Sequence, residues 1–223
     1  MHARPLVFLS LLGLLTCGTP DTSKSSEPEA AVERRVARAA DPHEVYTVYA
    51  NGRGSRPMQV RRFEGAAWVE WELAFDDSAA YDFSGESYAR DQYDWNKLVG
   101  LKWDFLRPRQ NTLLVGWRWN LETQQIELAP YLHEDGGREM HPPATTLSPH
   151  ERFTVRIGWT AERATFSFTR AGAKPVVLDY AFDVPTGDPW QILHWFGGTQ
   201  AAPHDIALRV YATRTSADTA TGN

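Results

Sequence analysis

The polar side chains best placed for chemistry lie on two adjacent alternating runs. In the first, Arg118 and Asn120 alternate with Trp117 and Trp119; in the second, Glu127, Tyr131 and His133 alternate with Ile126, Leu128 and Leu132. If the two runs pair through the short turn at Glu122 to Gln124, their polar groups share one sheet face. Such a face can hold sugar hydroxyls by directional hydrogen bonds while an aromatic plane covers the apolar side of the ring. It can also neutralise an acidic substrate with the guanidinium while imidazole and phenol act as base and acid. The plainer use of the same groups is a solvated outer face stitched by cross-strand pairs.

A second constellation, from Trp190 to Asp205, contains His194, Gly197-Gly198 and His204-Asp205. Strict alternation puts Trp190, Ile192, His194 and Phe196 on one face and Gln191, Leu193 and Trp195 on the other. Both faces are then apolar or aromatic, as in a strand with little solvent on either side. His194 is either a core histidine or the floor of a groove, and we carry it as a candidate ligand-binding residue with Arg118, Asn120, Glu127, Tyr131 and His133.

Other chemistries find less support. The segment Tyr81 to Leu98 reads as a long loop over one end of the fold, with Asp82, Glu86, Asp91 and Asp94 among its aromatics. Calcium wants several oxygen ligands, which this loop could supply, but the spacing departs from the EF-hand pattern. No metal or other cofactor is therefore expected. The seven histidines (2, 43, 133, 141, 150, 194 and 204) lack tight zinc-ligand spacing. There is no Gly-x-Ser-x-Gly elbow, no His-Glu-x-x-His and no phosphate loop.

The elements that must position these groups have a period of two. Trp68, Glu70 and Glu72 alternate with Val69, Trp71, Leu73 and Phe75. The series Phe153, Val155, Ile157 alternates with polar residues, as does Ile206, Leu208, Val210. This is the signature of strands with one buried face. Turn signals separate the runs at Asn51-Gly52, Gly136-Gly137, Ala171-Gly172 and Thr186-Gly187-Asp188-Pro189. About eleven short strands at this spacing predict an all-β domain over 44–215, a two-sheet antiparallel sandwich of jelly-roll type, with a closed barrel as the alternative.

Composition agrees. Of 223 residues, 42% are hydrophobic, and all nine tryptophans fall between Trp68 and Trp195, which locates the core. A net charge of −5 without a basic patch argues against nucleic acid as partner. An anionic polymer stays open, because a local groove can oppose the net sign.

The N-terminus reads as an export signal. His2 and Arg4 precede an apolar run of ten residues, Leu6 to Leu15, too short for the ~20 residues a membrane-spanning helix needs. Leu14-Leu15-Thr16-Cys17 resembles the lipobox of bacterial lipoproteins, although Thr16 stands where Gly, Ala or Ser is usual. The resemblance implies that residues 1–17 are the signal segment, ending at Cys17 as the lipidated residue, with Gly18 next to it pointing to the outer membrane. Export to the outer membrane, cell surface or periplasm follows, with membrane attachment through the lipid only. As the sole cysteine, Cys17 can form no disulfide within the chain. Residues 18–43 have the composition of a disordered tether, and 216–223 of a disordered tail.

Three stretches resemble secreted bacterial proteins of the concanavalin-like jelly-roll class: Asp94-Trp95-Asn96-Lys97-Leu98, Gly116-Trp117-Arg118-Trp119-Asn120, and Phe196-Gly197-Gly198-Thr199 through Ala202-Pro203-His204-Asp205. The resemblance spans roughly Glu44 to Thr213. That class includes lectins, glycan-binding modules, glucanases and alginate-type lyases, so the fold does not choose among them. The glucanase pattern Glu-x-Asp-x-x-Glu is not met, since Glu70-Trp71-Glu72 is followed by Phe75 at the last acidic position. Of the lyase motifs, Gln-Ile-His becomes Gln125-Ile126-Glu127, and Tyr-Phe-Lys-Ala-Gly becomes Trp195-Phe196-Gly197-Gly198. The expectation is an envelope-anchored protein that binds a polysaccharide or other glycan on one sheet face. A uronate lyase on that face and a non-catalytic structural or adhesive protein are the alternatives.

Overall fold

The computed structural model describes residues 41–220, apart from 105 and 107–109. The signal segment, Cys17, tether residues 18–40 and tail residues 221–223 lie outside the described residues. The chain is a two-sheet antiparallel jelly-roll sandwich, and twelve strands are present among the described residues. They are β1 (Glu44–Val48), β2 (Trp68–Phe75), β3 (Asn96–Lys102), β4 (Thr112–Asn120), β5 (Gln125–Glu134) and β6 (Gly137–Met140). There follow β7 (Thr145–Leu147), β8 (Phe153–Trp159), β9 (Arg163–Arg170), β10 (Val176–Ala181), β11 (Trp190–Ile192) and β12 (Ile206–Thr215). The first sheet has the order β1-β12-β2-β8-β9-β10, and the second β11-β3-β4-β5-β6, with β7 also paired to β5.

The alternation in the sequence sets which side chains meet between the sheets. Val69, Trp71, Leu73 and Phe75 of β2 and Val155 and Ile157 of β8 face Leu113, Val115, Trp117 and Trp119 of β4 and Ile126, Leu128 and Leu132 of β5 in one core. Each such side chain contributes about 1.5–3 kcal/mol on burial. This cluster therefore dominates the favourable side of folding.

On the outer face of the first sheet, Glu70 and Glu72 meet Arg152, Arg156 and Arg214 at 2.6–3.2 Å. Those acids, read from sequence against a glucanase pattern, are thus committed to a cross-strand charge ladder.

Two expectations are modified. The segment from Tyr81 to Leu98 is packed rather than open. It holds a 3-10 turn at Ala89–Tyr93 and the start of β3, and Tyr81, Phe83, Gln92, Asn96 and Leu98 are buried. Gln92 fixes it from inside: Oε1 accepts from Phe83 N at 2.8 Å, and Nε2 donates to the carbonyls of Tyr81 and Trp119 at 3.2 and 3.1 Å. At the other end, the residues after Thr215 are not a tail throughout. They turn into a short helix, α1 (Ser216–Ala220), whose Ser216 Oγ accepts from Ala67 N at 2.7 Å.

Candidate functional site

The β4–β5 hairpin builds the face singled out in the sequence. Asn120 Oδ1 accepts from Glu122 N (2.9 Å) and Thr123 N (3.1 Å), and Gln124 takes a positive φ of 53°, which closes the turn. The register then pairs Arg118 with Glu127, Asn120 with Gln125, Leu114 with Tyr131 and Thr112 with His133. Because Trp117 and Trp119 point into the core, all of these point away from it.

Their environment differs from a bare polar surface. Arg118 Nε donates to Glu127 Oε2 at 2.6 Å, and Asn120 Nδ2 to Glu127 Oε1 at 2.7 Å, so both carboxylate oxygens are occupied. The Arg118 side chain is 21% exposed and that of Glu127 10%. The guanidinium also lies 4.5 Å over the Trp95 ring and 6.0 Å over that of Tyr93, and Nη1 donates to the Tyr93 carbonyl at 3.1 Å. Arg118 is thus a clamp on two aromatic rings, with its charge already met by Glu127.

Tyr131 and His133 stand together, ring centroids 4.8 Å apart, but each is only 5% exposed. His133 Nδ1 shares a 2.7 Å hydrogen bond with Thr112 Oγ1, and Lys97 Nζ lies 5.8 Å over the Tyr131 ring. An imidazole and a phenol are therefore buried in this face, with the ammonium of the half-buried Lys97 over the phenol ring.

His194 does not join them. It lies in the core, stacked on Trp117 at 5.6 Å and against Phe75 at 5.7 Å. Neither ring nitrogen has a hydrogen-bond partner among the described residues, and burial pushes its pKa down to about 3. The reason is a break in alternation. Ile192 pairs with Gly100, and Trp195 pairs with Lys97 through two 2.8 Å backbone bonds; both point outward. Two residues, not one, separate these outward positions, so Leu193 and His194 both turn inward. On the neighbouring strand β3 the register shifts between Lys97 and Val99, which turns Leu98 and Val99 inward together. The strict two-residue period read through 190–196 is corrected here: Ile192 and His194 face opposite ways, His194 is a core histidine and not the floor of a groove, and Trp195 belongs to the outer face.

That face holds groups the sequence reading passed over. The Trp195 ring is 42% exposed and rests over Gly54, where an added Cβ would come within 3.1 Å of it. The half-buried Trp95 ring rests over Gly116 at the same 3.1 Å. Lys97 pairs with Trp195 on one side and Gly116 on the other, and so sits between the two indoles. Tyr93, 55% exposed, lies at the rim. A glycine inside a strand of bulky residues marks close approach by another group, and Gly116 in Leu-Leu-Val-Gly-Trp was that signal.

The loop after Trp195 is tied down. Arg53 donates to the carbonyls of Gly198 (2.7 Å) and Thr199 (2.5 Å), and Gln200 Nε2 donates to Asp91 Oδ2 at 2.7 Å. Asn96 Oδ1 accepts from Gly197 N, and Asn96 Nδ2 donates to the Tyr81 hydroxyl at 3.1 Å. The acids considered for calcium are dispersed: Asp82 accepts from Ser84 N, Asp91 from Gln200, and Asp94 faces Gly198. Among the described residues no three His, Cys, Asp or Glu side chains are gathered as a metal site.

No protein-family model and no curated protein matches this sequence. Solved structures do match in fold. An alginate lyase described as a member of polysaccharide lyase family-7 superposes with a TM-score of 0.50 at 8% identity, over 79% of this chain and 80% of that one. The exolytic PL7 alginate lyase from Zobellia galactanivorans gives a TM-score of 0.50 at 8% identity, over 77% and 83%. The alginate lyase from Klebsiella pneumoniae gives 0.49 at 12% identity; the chain spans 60% of that protein's length, with 68% of its own covered. At 8% identity the two superpositions with a TM-score of 0.50 show a shared jelly-roll fold and nothing beyond it.

Proposed function

We propose that this is an exported, envelope-anchored sandwich protein that binds a glycan on the open part of the second sheet's outer face. The observation that carries the reading is the pair of indoles, Trp195 and Trp95, each so close to a glycine that an added Cβ would come within 3.1 Å of the ring. Between them Lys97 offers a cation, and Arg118 holds Trp95 and Tyr93 in place. Sugars present an apolar ring face edged by hydroxyls, and exposed rings beside charged and amide groups suit both parts. The fold shared with proteins named as alginate lyases supports a carbohydrate ligand. The export signal and Cys17 support the envelope location.

The test is a glycan array with the full chain and a Trp195→Ala variant. The variant should lose binding while its melting temperature stays within a few degrees, since Trp195 is an exposed side chain. Equal binding by both proteins would remove the face from consideration. Replacing Cys17 with Ser should release the protein from the membrane fraction.

A uronate lyase on the same face is the second reading, favoured by Lys97, Tyr131 and His133 standing together. Binding is preferred because Tyr131 and His133 are buried and His133 Nδ1 is engaged by Thr112, so a polymer would meet the indoles first. Incubation with alginate, followed by the ultraviolet absorbance of an unsaturated product, separates the two.

A further inference from the structure

One edge of the sandwich is crossed by a strap, residues 53–63, that leaves the first sheet and joins the second. At its start Arg56 pairs with Thr47 of β1 through two 2.8 Å backbone bonds. At its end Arg62 pairs with Trp190 of β11, and the Arg61 carbonyl accepts from Gln191 N at 2.8 Å. Gln59 Nε2 donates to Glu44 Oε2 at 3.1 Å, and the Arg61 guanidinium lies 5.1 Å over the Phe63 ring, so both turn back onto the domain. The residues that alternate with them, Arg56, Met58, Val60 and Arg62, are exposed.

The chemistry of this edge differs from that of the whole chain. Between Val45 and Phe63 stand four arginines, at 53, 56, 61 and 62, and no acidic residue, a local excess concealed in the net charge of −5. Arg53 is engaged by the Gly198 and Thr199 carbonyls. Arg56 makes no ion pair among the described residues. Arg62 lies 3.6 Å from Asp188, a weak, solvent-screened pair whose side chains are 45% and 32% exposed. Met58 is 73% exposed and Val60 56%. Single exposed apolar side chains are ordinary. Here two of them fill the alternate positions between two exposed guanidiniums. The chain also enters the domain beside the strap, since Pro42 and His43 line one cleft with Gln59 and Arg61. Residues 1–40, with the proposed lipid site Cys17 among them, lead into the domain at this edge.

We infer that this edge rests on an anionic phospholipid surface, with Arg56 and Arg62 on headgroup phosphates and Met58 and Val60 in the apolar layer beneath them. For its setting the inference rests on the envelope-anchored reading; the surface itself is a property of the domain. A cation–apolar–apolar–cation series suits an interface whose outer layer is charged and whose interior is hydrocarbon. Nucleic acid or an acidic polysaccharide would meet the guanidiniums and leave Met58 and Val60 without a counterpart. An anionic leaflet strengthens binding about fivefold for each arginine brought near it. Two arginines and two short apolar insertions make a reversible, salt-sensitive contact, which orients a tethered domain and is too weak to retain a free one. Standing on this edge, the sandwich keeps the Trp195 and Trp95 face open to solvent.

The experiment uses the full chain carrying Cys17→Ser, so that no acyl chain contributes. It is sedimented at low salt with vesicles of phosphatidylcholine alone, or of phosphatidylcholine mixed equally with phosphatidylglycerol. The mixed vesicles should bind it at least about fivefold better, and high salt should release it. Arg56→Gln with Arg62→Gln, and separately Met58→Ser with Val60→Ser, should each lower binding to mixed vesicles at least about fivefold. All four side chains are exposed, so melting temperatures should stay within a few degrees, and Trp195→Ala should bind as before. No binding to mixed vesicles overturns the inference, as does equal binding to both kinds. Loss in the arginine variant alone, with dextran sulfate bound equally by the Met58 and Val60 variant, marks a polyanion site and overturns it too. Because Cys17 is absent throughout, none of these failures bears on the anchor, which is tested by membrane fractionation, or on the indole face, which is tested on the glycan array.

Discussion

His194 places a titratable ring where charge is least tolerated, and its replacement by leucine has a calculable consequence. The side chain is 1% exposed, and its nitrogens lack hydrogen-bond partners among the described residues. Burial lowers its pKa from 6.5 to about 3. Above pH 6.5 the ring is neutral in folded and unfolded chains, and it contributes no pH dependence. Below pH 6.5 the unfolded chain takes up a proton that the folded chain refuses until about pH 3, so stability falls with falling pH across that window. The loss is about 2 kcal/mol at pH 5 and approaches roughly 5 kcal/mol near pH 3, at 1.36 kcal/mol per unit. His194→Leu removes this dependence. It also removes two unpartnered polar atoms, which should stabilise the protein by about 1 kcal/mol or more even at pH 8. Urea denaturation of both proteins at pH 8, 7, 6 and 5 measures the effect, because the remaining titrations are common to both and cancel in the difference. The variant's advantage should grow by about 2 kcal/mol between pH 8 and pH 5. A constant difference across that range would refute the placement of His194 as a neutral core residue.

Two further substitutions test the architecture of the outer face. Gly116→Ala puts a Cβ within 3.1 Å of the Trp95 ring; it should cost about 1–3 kcal/mol and weaken glycan binding by displacing that ring, read by urea denaturation and by the array. Glu127→Gln removes the counter-charge from a guanidinium still 21% exposed. Its cost should be about 1–2 kcal/mol after allowance for solvent screening, measured by denaturation at neutral pH, with the added mark that high salt narrows the gap to the native protein.

The sequence was informative wherever one short-range rule governed structure. Alternation of apolar and polar residues determined which side of β2, β4, β5, β8 and β12 faces the core, because a strand's side chains must alternate and only one face can be buried. From that follow the two sheets, the inward Trp117 and Trp119, and the outward set Arg118, Asn120, Glu127, Tyr131 and His133. What those outward groups do was decided by tertiary structure. Arg118 and Glu127 neutralise each other because the hairpin register sets them opposite, and Trp95 arrives over Gly116 from the preceding strand. The partners of Trp195 and His194 depend on irregular pairing shared by β3 and the residues after β11. A single extra residue in a strand exchanges its two faces, and its location is fixed by neighbouring strands far away in the chain. Local spacing carries no record of it, so the exposed indole and the buried imidazole could be told apart only once the strands were paired.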